Sequence, residues 1–105
     1  MQKILVVDDV EINRELLHNI LKDDYIIEMA EDGEQAIQKL KENQGKIAAI
    51  LLDLQMPKKN GFAVIGEMKK NGWMPKLPVL VISGEYSVEV ENQCFELGVS
   101  DFIHK

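Results

Sequence analysis

The stretch Ile47-Ala48-Ala49-Ile50-Leu51-Leu52, followed at once by Asp53, decides the fold class of this chain. A short run of apolar residues that is bounded by polar ones predicts a buried strand. Strands that are apolar on both faces belong to parallel sheets covered by helices on both sides. The carboxylate at the end of this strand is the first candidate for chemistry, because open parallel sheets bind ligands at the carboxyl ends of their strands.

Further apolar runs flank this stretch in both directions along the chain. They predict strands over residues 4–7, 26–30, 77–82 and 102–103. Apolar residues recur at helical spacing between the runs. Four groups show this spacing: Ile12, Leu16, Leu17, Ile20 and Leu21; Ala36, Ile37 and Leu40; Phe62, Ile65 and Met68; and Val90, Cys94, Phe95 and Leu97. The element order is therefore βαβαβαβαβ, which right-handed crossovers turn into one doubly wound α/β domain over residues 1–105.

Turn and capping residues agree with these boundaries. Asn60-Gly61 is expected to open the third helix and Ser87 to cap the fourth, which Gly98 can close in a left-handed conformation. We expect Cys94 to lie in the core on the apolar side of the fourth helix. The acidic run at residues 31–34 before the second helix is interpreted as a solvated surface.

Composition limits the functions that remain open. The chain has 12 Lys and Arg against 18 Asp and Glu, a net charge of −6, and 46% of its residues are hydrophobic. That apolar content is typical of folded domains, and the acidity argues against direct binding of nucleic acid, which needs clustered basic residues. The single cysteine excludes an internal disulfide. The apolar run at the N-terminus is too short for a signal peptide or membrane span, so we expect a cytoplasmic protein without a membrane contact.

Five polar side chains stand at the predicted carboxyl ends of the strands. They are Asp8, Asp9, Asp53, Ser83 and Lys105. Carboxylates that share one site repel one another and are stabilised by a cation, and a few hard oxygen ligands suit Mg²⁺. The lysine and the hydroxyl could hold the oxygens of a phosphoryl group that such a cation attracts.

In order and spacing, the motifs around these residues resemble those of the receiver domains of two-component response regulators. The matching segments are Ile4-Leu5-Val6-Val7-Asp8-Asp9, Leu51-Leu52-Asp53-Leu54-Gln55-Met56-Pro57 with Gly61, Val81-Ile82-Ser83-Gly84, and Gly98-Val99-Ser100-Asp101-Phe102-Ile103-His104-Lys105. The resemblance covers the whole chain. It implies a flavodoxin-like sheet of five parallel strands in the order 2-1-3-4-5.

The resemblance also implies a role for each residue of the acidic cluster. Asp53 would be the phosphoacceptor. Asp9, Asp53 and the backbone carbonyl of Gln55 would ligate Mg²⁺ or Mn²⁺, with Asp8 acting largely through a metal-bound water. Ser83 would hold phosphoryl oxygens together with the terminal lysine.

The same resemblance implies a switch and positions that set its lifetime. Ser83 would move toward the phosphoryl group, and Phe102 would turn inward and alter the face made by the fourth helix and fifth strand. Because Phe102 is not tyrosine, it cannot contribute a ring hydroxyl to a partner. Gln55 and Glu85 correspond to positions that tune the lifetime of the acyl phosphate.

Partners follow from the resemblance as well. A sensor histidine kinase or histidine phosphotransfer protein would donate the phosphoryl group, and an output domain or downstream protein would bind the altered face. The chemistry would be limited to self-phosphorylation and slow autodephosphorylation, so the chain would not be an enzyme. The alternative is a metal-dependent phosphohydrolase with an Asp nucleophile on a similar sheet. Such enzymes usually carry a second acid two residues beyond the nucleophile, where this chain has Gln55 or Val10.

One family feature is missing from the sequence. Family receivers continue into a fifth helix after the lysine that corresponds to Lys105, so the domain is expected to be truncated before that helix. Without it, apolar strand residues on the face beside the first helix should be exposed. We expect either a missing tail or a dimer to cover them.

Overall fold

The computed structural model describes residues 1–84 and 86–105 of the chain. Strands and helices alternate along it in the predicted order. The elements are β1 (Lys3–Val7), α1 (Glu11–Leu21), β2 (Ile26–Ala30), α2 (Gly33–Glu42), β3 (Ile47–Leu52), α3 (Gly61–Lys70), a short 3₁₀ helix (Met74–Lys76), β4 (Val79–Ser83), α4 (Val88–Glu96) and β5 (Asp101–His104).

Local sequence signals set most of these boundaries. The side chains of Asn60 and Ser87 accept hydrogen bonds at the first turns of α3 and α4, and Gly98 follows α4 with a φ of 101°. The predicted start of β4 at residue 77 was wrong by two residues. A 3₁₀ turn ends just before Leu77, and Pro78 has no N–H to donate to the sheet, so pairing begins at Val79.

The sheet has five parallel strands in the order β2-β1-β3-β4-β5, which confirms the predicted doubly wound architecture. Val7 pairs with Ala30 on one side and with Leu52 on the other. Ser83 pairs with His104 at the far edge. This register aligns the carboxyl ends of the strands along one edge of the sheet.

The main core lies on the face of the sheet that carries α2, α3 and α4. Alternate strand residues such as Leu5, Ile50 and Val79 meet helix residues such as Ile65 there. Cys94 of α4 is fully buried in this core, as predicted.

The opposite face, which carries α1, is less well covered. No residue of α1 is buried, and the side chains of Ile12, Leu16 and Ile20 are 71%, 58% and 62% exposed. On β5, Ile103 is also exposed. The expected exposure of apolar strand residues is therefore found at the outer strands, at Met29 and Ile103, whereas Ile4 and Val6 of β1 are buried. Most of the exposed apolar surface lies on α1 itself. In the described residues, no helix combines the length and the apolar character that crossing a membrane requires.

Candidate functional site

Three carboxylates meet at the carboxyl edge of the sheet. The backbone N–H of Asp8 donates to the carbonyl of Ala30, and that of Asp53 donates to the carbonyl of Val7, so both residues are held by the ends of neighbouring strands. Asp8, Asp9 and Asp53 each offer a carboxylate oxygen, and these oxygens lie within 4.8 Å of one another. Asp8 and Asp53 are buried whereas Asp9 is exposed, so the cluster is open to solvent on one side.

The first turn of α1 holds Asp8 in place. The backbone N–H of Val10 donates to Asp8 Oδ1 at 2.9 Å, and Asn13 Nδ2 donates to Asp8 Oδ2 at 3.4 Å. Arg14 Nη1 donates to the backbone carbonyl of Asp8 at 2.7 Å. The sequence reasoning missed Asn13 and Arg14, although their place on the first turn after the acidic pair could have indicated them.

Lys105 brings a cation to the cluster. Its Nζ lies 2.9 Å from Asp8 Oδ2 and 3.5 Å from Asp53 Oδ2. Its backbone N–H donates to the carbonyl of Ser83 at 2.8 Å, which fixes the chain end against β4. Partial burial lowers the pKa of Lys105, but the hydrogen bond to Asp8 and the charges of Asp53 and Asp8 outweigh that effect and raise the pKa overall.

The pKa of the Asp53 carboxyl is raised above its ordinary value. Burial raises the pKa of its carboxyl, and the charge of Asp8 adds to that increase. The backbone N–H of Gln55, which donates to Asp53 Oδ1 at 3.3 Å, and the charge of Lys105 act in the opposite direction. The carboxylate is thus held in an environment where a further positive charge would stabilise it.

The predicted switch residues lie beside the cluster and next to an aromatic group. Ser83 is the last residue of β4 and is fully buried, and Phe102 of β5 is half-buried against the core. The ring of Tyr86 lies 6.0 Å from that of Phe102 and stacks on His104 at 5.1 Å. The sequence reasoning did not single out Tyr86. Glu85, the predicted lifetime residue, lies outside the described residues.

The donor set fits a small divalent cation. Ligands at 2.0–2.1 Å from Mg²⁺ lie about 4.2 Å apart when they are opposite each other. One oxygen from each of the three carboxylates falls within 4.8 Å of the other two, so a shared ion needs little rearrangement. Three carboxylates and a single lysine also leave an excess of negative charge at the cluster. The residues therefore fit Mg²⁺ or Mn²⁺ in both spacing and chemistry.

Comparisons with known proteins agree with this geometry. The family described as "Response regulator receiver domain" matches residues 4–105. The chain is 35% identical, over 97% of its length, to a probable cyclic di-GMP phosphodiesterase of Vibrio cholerae, but it spans only 23% of that protein.

Solved structures show the same fold. The chemotaxis protein CheY4 of Vibrio cholerae superposes with a TM-score of 0.90 at 27% identity, covering 100% of this chain and 87% of that one. The Mn(2+)-bound form of response regulator Rcp1 superposes with a TM-score of 0.90 at 30% identity, covering 100% and 81%.

Proposed function

Since the chain belongs to the response regulator receiver domains, the phosphoacceptor switches of two-component systems, we propose that Asp53 is its phosphoacceptor. The donor would be a phosphohistidine on a sensor histidine kinase or a histidine phosphotransfer protein. The observation that carries this proposal is the convergence of Asp53 with two further carboxylates and Lys105 at one edge of the sheet.

The proposed transfer is an in-line displacement at phosphorus. A carboxylate oxygen of Asp53 forms the new O–P bond while the P–N bond to the donor histidine breaks, and the electron pair of that bond stays on the imidazole. Lys105 neutralises charge on the phosphoryl oxygens, and the hydroxyl of Ser83 would donate a hydrogen bond to one of them. Little covalent chemistry is asked of the protein beyond this positioning.

Asp8, Asp9, Asp53 and the backbone carbonyl of Gln55 would hold Mg²⁺ or Mn²⁺. When bound, the ion supplies Lewis-acid stabilisation of the phosphoryl charge. The carboxylate spacing supports this assignment, as does the Mn(2+)-bound form of the similar response regulator Rcp1.

Phosphorylation would be read out at α4 and β5. The product adds about −1.5 to −2 charge beside Ser83. Phe102 cannot donate a hydrogen bond, so we infer that it reports by packing. The ring of Tyr86 lies 6.0 Å from that of Phe102, so Tyr86 would be an aromatic neighbour of the switch. An output domain or downstream protein would bind there.

The remaining assignments concern the lifetime of the acyl phosphate and the cellular location and assembly of the chain. Gln55, which is exposed beside Asp53, and Glu85 would control access of water to the acyl phosphate. The chain would catalyse only its own phosphorylation and slow dephosphorylation, in the cytoplasm, as part of a larger protein or as a dimer. The family match does not favour the phosphohydrolase alternative.

Mass spectrometry after incubation with acetyl phosphate and Mg²⁺ tests the central assignment. We expect a mass gain of one phosphoryl group that Asp53→Asn abolishes and that the surface control Asp24→Asn retains. Turnover of varied phosphoesters without an adduct, or an adduct that persists in Asp53→Asn, would contradict the proposal.

Thermal unfolding with and without Mg²⁺ tests the metal assignment separately. A ligand that binds only the folded state raises its stability in proportion to the logarithm of the ligand concentration. We expect Mg²⁺ to raise the unfolding temperature of the wild type and of Asp24→Asn, but not of Asp9→Asn. An equal rise in Asp9→Asn would remove Asp9 from the ligand set.

A further inference from the structure

Charge is distributed unevenly along this chain, and the proposed phosphorylation does not account for it. Residues 33–76, which include α2 and α3, carry eight lysines against four acids, a net +4, whereas the rest of the chain carries −10. An acidic protein with a localised basic surface attracts acidic groups only at that surface.

The basic surface contains a groove between α2 and α3, which we call the lysine groove. It is lined by Lys41, Lys59, Ala63, Gly66 and Lys70, and by Glu67. Lys59 Nζ lies 2.5 Å from Glu67 Oε1. The hydrogen bond from Lys59 lowers the pKa of Glu67 and, against some desolvation, the charges of Lys59, Lys41 and Lys70 lower it further. A carboxylate is therefore stabilised in this groove by the lysines around it.

Small residues keep the lysine groove open. Gly66 lies inside α3, where glycine is disfavoured relative to alanine, and a Cβ added there would meet nothing within 4 Å. Its neighbour on the groove wall, Ala63, is exposed. Within the described residues, the surface of α3 at Gly66 is therefore left uncovered by other side chains.

An apolar pocket lies near the C-terminal ends of the same two helices, and its lining includes Leu40 and Gly72, the chain neighbours of Lys41 and Asn71 in the groove. This tryptophan pocket has a volume of about 300 Å³ and includes Leu40, Ile47, Trp73, Lys76 and Leu77 in its lining. Leu40 directly precedes Lys41 of the groove on α2. A pocket of this volume, with an aromatic wall and a lysine, suits one apolar or aromatic group next to negative charge.

Two glycines form part of the wall of the tryptophan pocket. Gly45 and Gly72 have φ values of 75° and 73°, in the left-handed region that other residues rarely adopt. A Cβ at either position would meet nothing within 4 Å, so the space beside both turns is open.

We propose that the lysine groove and the tryptophan pocket together dock an acidic segment of a partner protein. Its carboxylates would pair with Lys41 and Lys70, and one apolar or aromatic side chain would enter the pocket beside Trp73. Charge complementarity favours an acidic occupant, and an apolar pocket of about 300 Å³ favours a peptide side chain over the sugar-phosphate backbone of a nucleic acid or the headgroups of an anionic membrane. The site does not involve Asp53, so it stands independently of the proposed phosphorylation.

Fluorescence of Trp73, the single tryptophan of the chain, tests the proposal directly. The probe is a blocked synthetic peptide with a central leucine-phenylalanine pair, two glutamates on each side and no tryptophan. We expect a saturable change in the emission of Trp73, with an affinity that falls as salt is added. Calorimetry under the same conditions detects binding that leaves the emission unchanged. The absence of saturable binding by both methods would overturn the proposal.

Variants separate the two parts of the site. Lys41→Ala/Lys70→Ala is expected to weaken peptide binding about tenfold, as for two contacts of moderate strength. The matched control Lys22→Ala/Lys69→Ala changes the charge equally outside the groove and should bind normally. A peptide with alanine in place of the leucine-phenylalanine pair should lose binding. Equal weakening by both double variants, or no effect of the anchor pair, would overturn the proposal.

Three further measurements distinguish docking of an acidic peptide from phosphorylation at Asp53 and from binding of other occupants. Asp53→Asn should bind the peptide as the wild type does, whatever the outcome of the acetyl phosphate assay. Tighter binding of an oligonucleotide or of anionic vesicles than of the peptide would replace the proposed partner. Self-association at low salt that Lys41→Ala/Lys70→Ala abolishes would identify a second copy as the occupant and overturn the proposal as stated.

Discussion

Gly61 is a residue at which a single methyl group should displace the loop that follows Asp53. It is buried at the start of α3, and its N–H donates to the carbonyl of Leu54 at 3.0 Å. A Cβ at this position would lie 2.6 Å from the carbonyl oxygen of Asp53 and 2.8 Å from the Cα of Leu54. Both are backbone atoms, so Gly61→Ala must move the chain that carries the Asp53 side chain.

The expected cost follows from overpacking. Forcing an extra carbon into a closely packed site destabilises a protein by about 1–3 kcal/mol. Gly66→Ala provides a matched control in the same helix, because its Cβ would enter open space. Replacing glycine in a helix interior by alanine should instead stabilise the fold by about 0.5–1 kcal/mol. The two substitutions should therefore shift stability in opposite directions.

Urea unfolding followed by far-ultraviolet circular dichroism measures both effects. We expect the midpoint to fall for Gly61→Ala and to rise for Gly66→Ala, with similar slopes. Mg²⁺ should also bind Gly61→Ala more weakly, since the displaced backbone leads directly from Asp53. Equal shifts of the two midpoints, or a wild-type midpoint and Mg²⁺ affinity in Gly61→Ala, would refute the reasoning.

Three other predictions concern the core, a helix cap and the cation of the cluster. Cys94 is fully buried and burial raises its pKa, so Ellman's reagent should modify the thiol only as fast as the protein unfolds locally. A rapid reaction in native buffer would contradict this placement. Asp32→Ala should lower the free energy of unfolding by about 1 kcal/mol, because it removes the cap of α2 and the ion pair with Lys58, whereas Asp32→Asn should retain most of the cap. Lys105→Met should abolish labelling by acetyl phosphate but preserve the Mg²⁺-induced rise in unfolding temperature, because the substitution removes a cation and no carboxylate. Loss of both responses would contradict this prediction and show that the lysine holds the cluster together.

The polar residues that meet at the carboxyl edge of the sheet could be predicted, because their placement depends on the local pattern of apolar residues and on one topological rule. Apolar runs identify the strands, and parallel strands bring their carboxyl ends to a common edge. That rule predicts that Asp8, Asp53 and Lys105 lie together, and the hydrogen bonds of Lys105 confirm their proximity. The roles of these residues in phosphorylation remain predictions.

Long-range contacts could not be predicted in the same way. The acidic run before α2 was expected to be solvated, but Asp32 is only 4% exposed. Its side chain accepts a hydrogen bond from the N–H of Gln35, and Lys58 reaches it from the loop after β3. The cap lies within a few residues and was recognisable in principle. The lysine contact depends on how α2 and a distant loop approach each other.

The sequence by itself determined the alternation of strands and helices, the parallel sheet and the set of residues at its carboxyl edge, because hydrophobic periodicity and strand direction are properties of short segments. Only the tertiary structure decided which surfaces stay open. It exposed Ile12 and Leu16 on α1, left no room for a Cβ at Gly61, and set Trp73 beside Lys76 in the lining of one pocket. Those outcomes depend on the distances between packed elements, which the local pattern of residues does not specify.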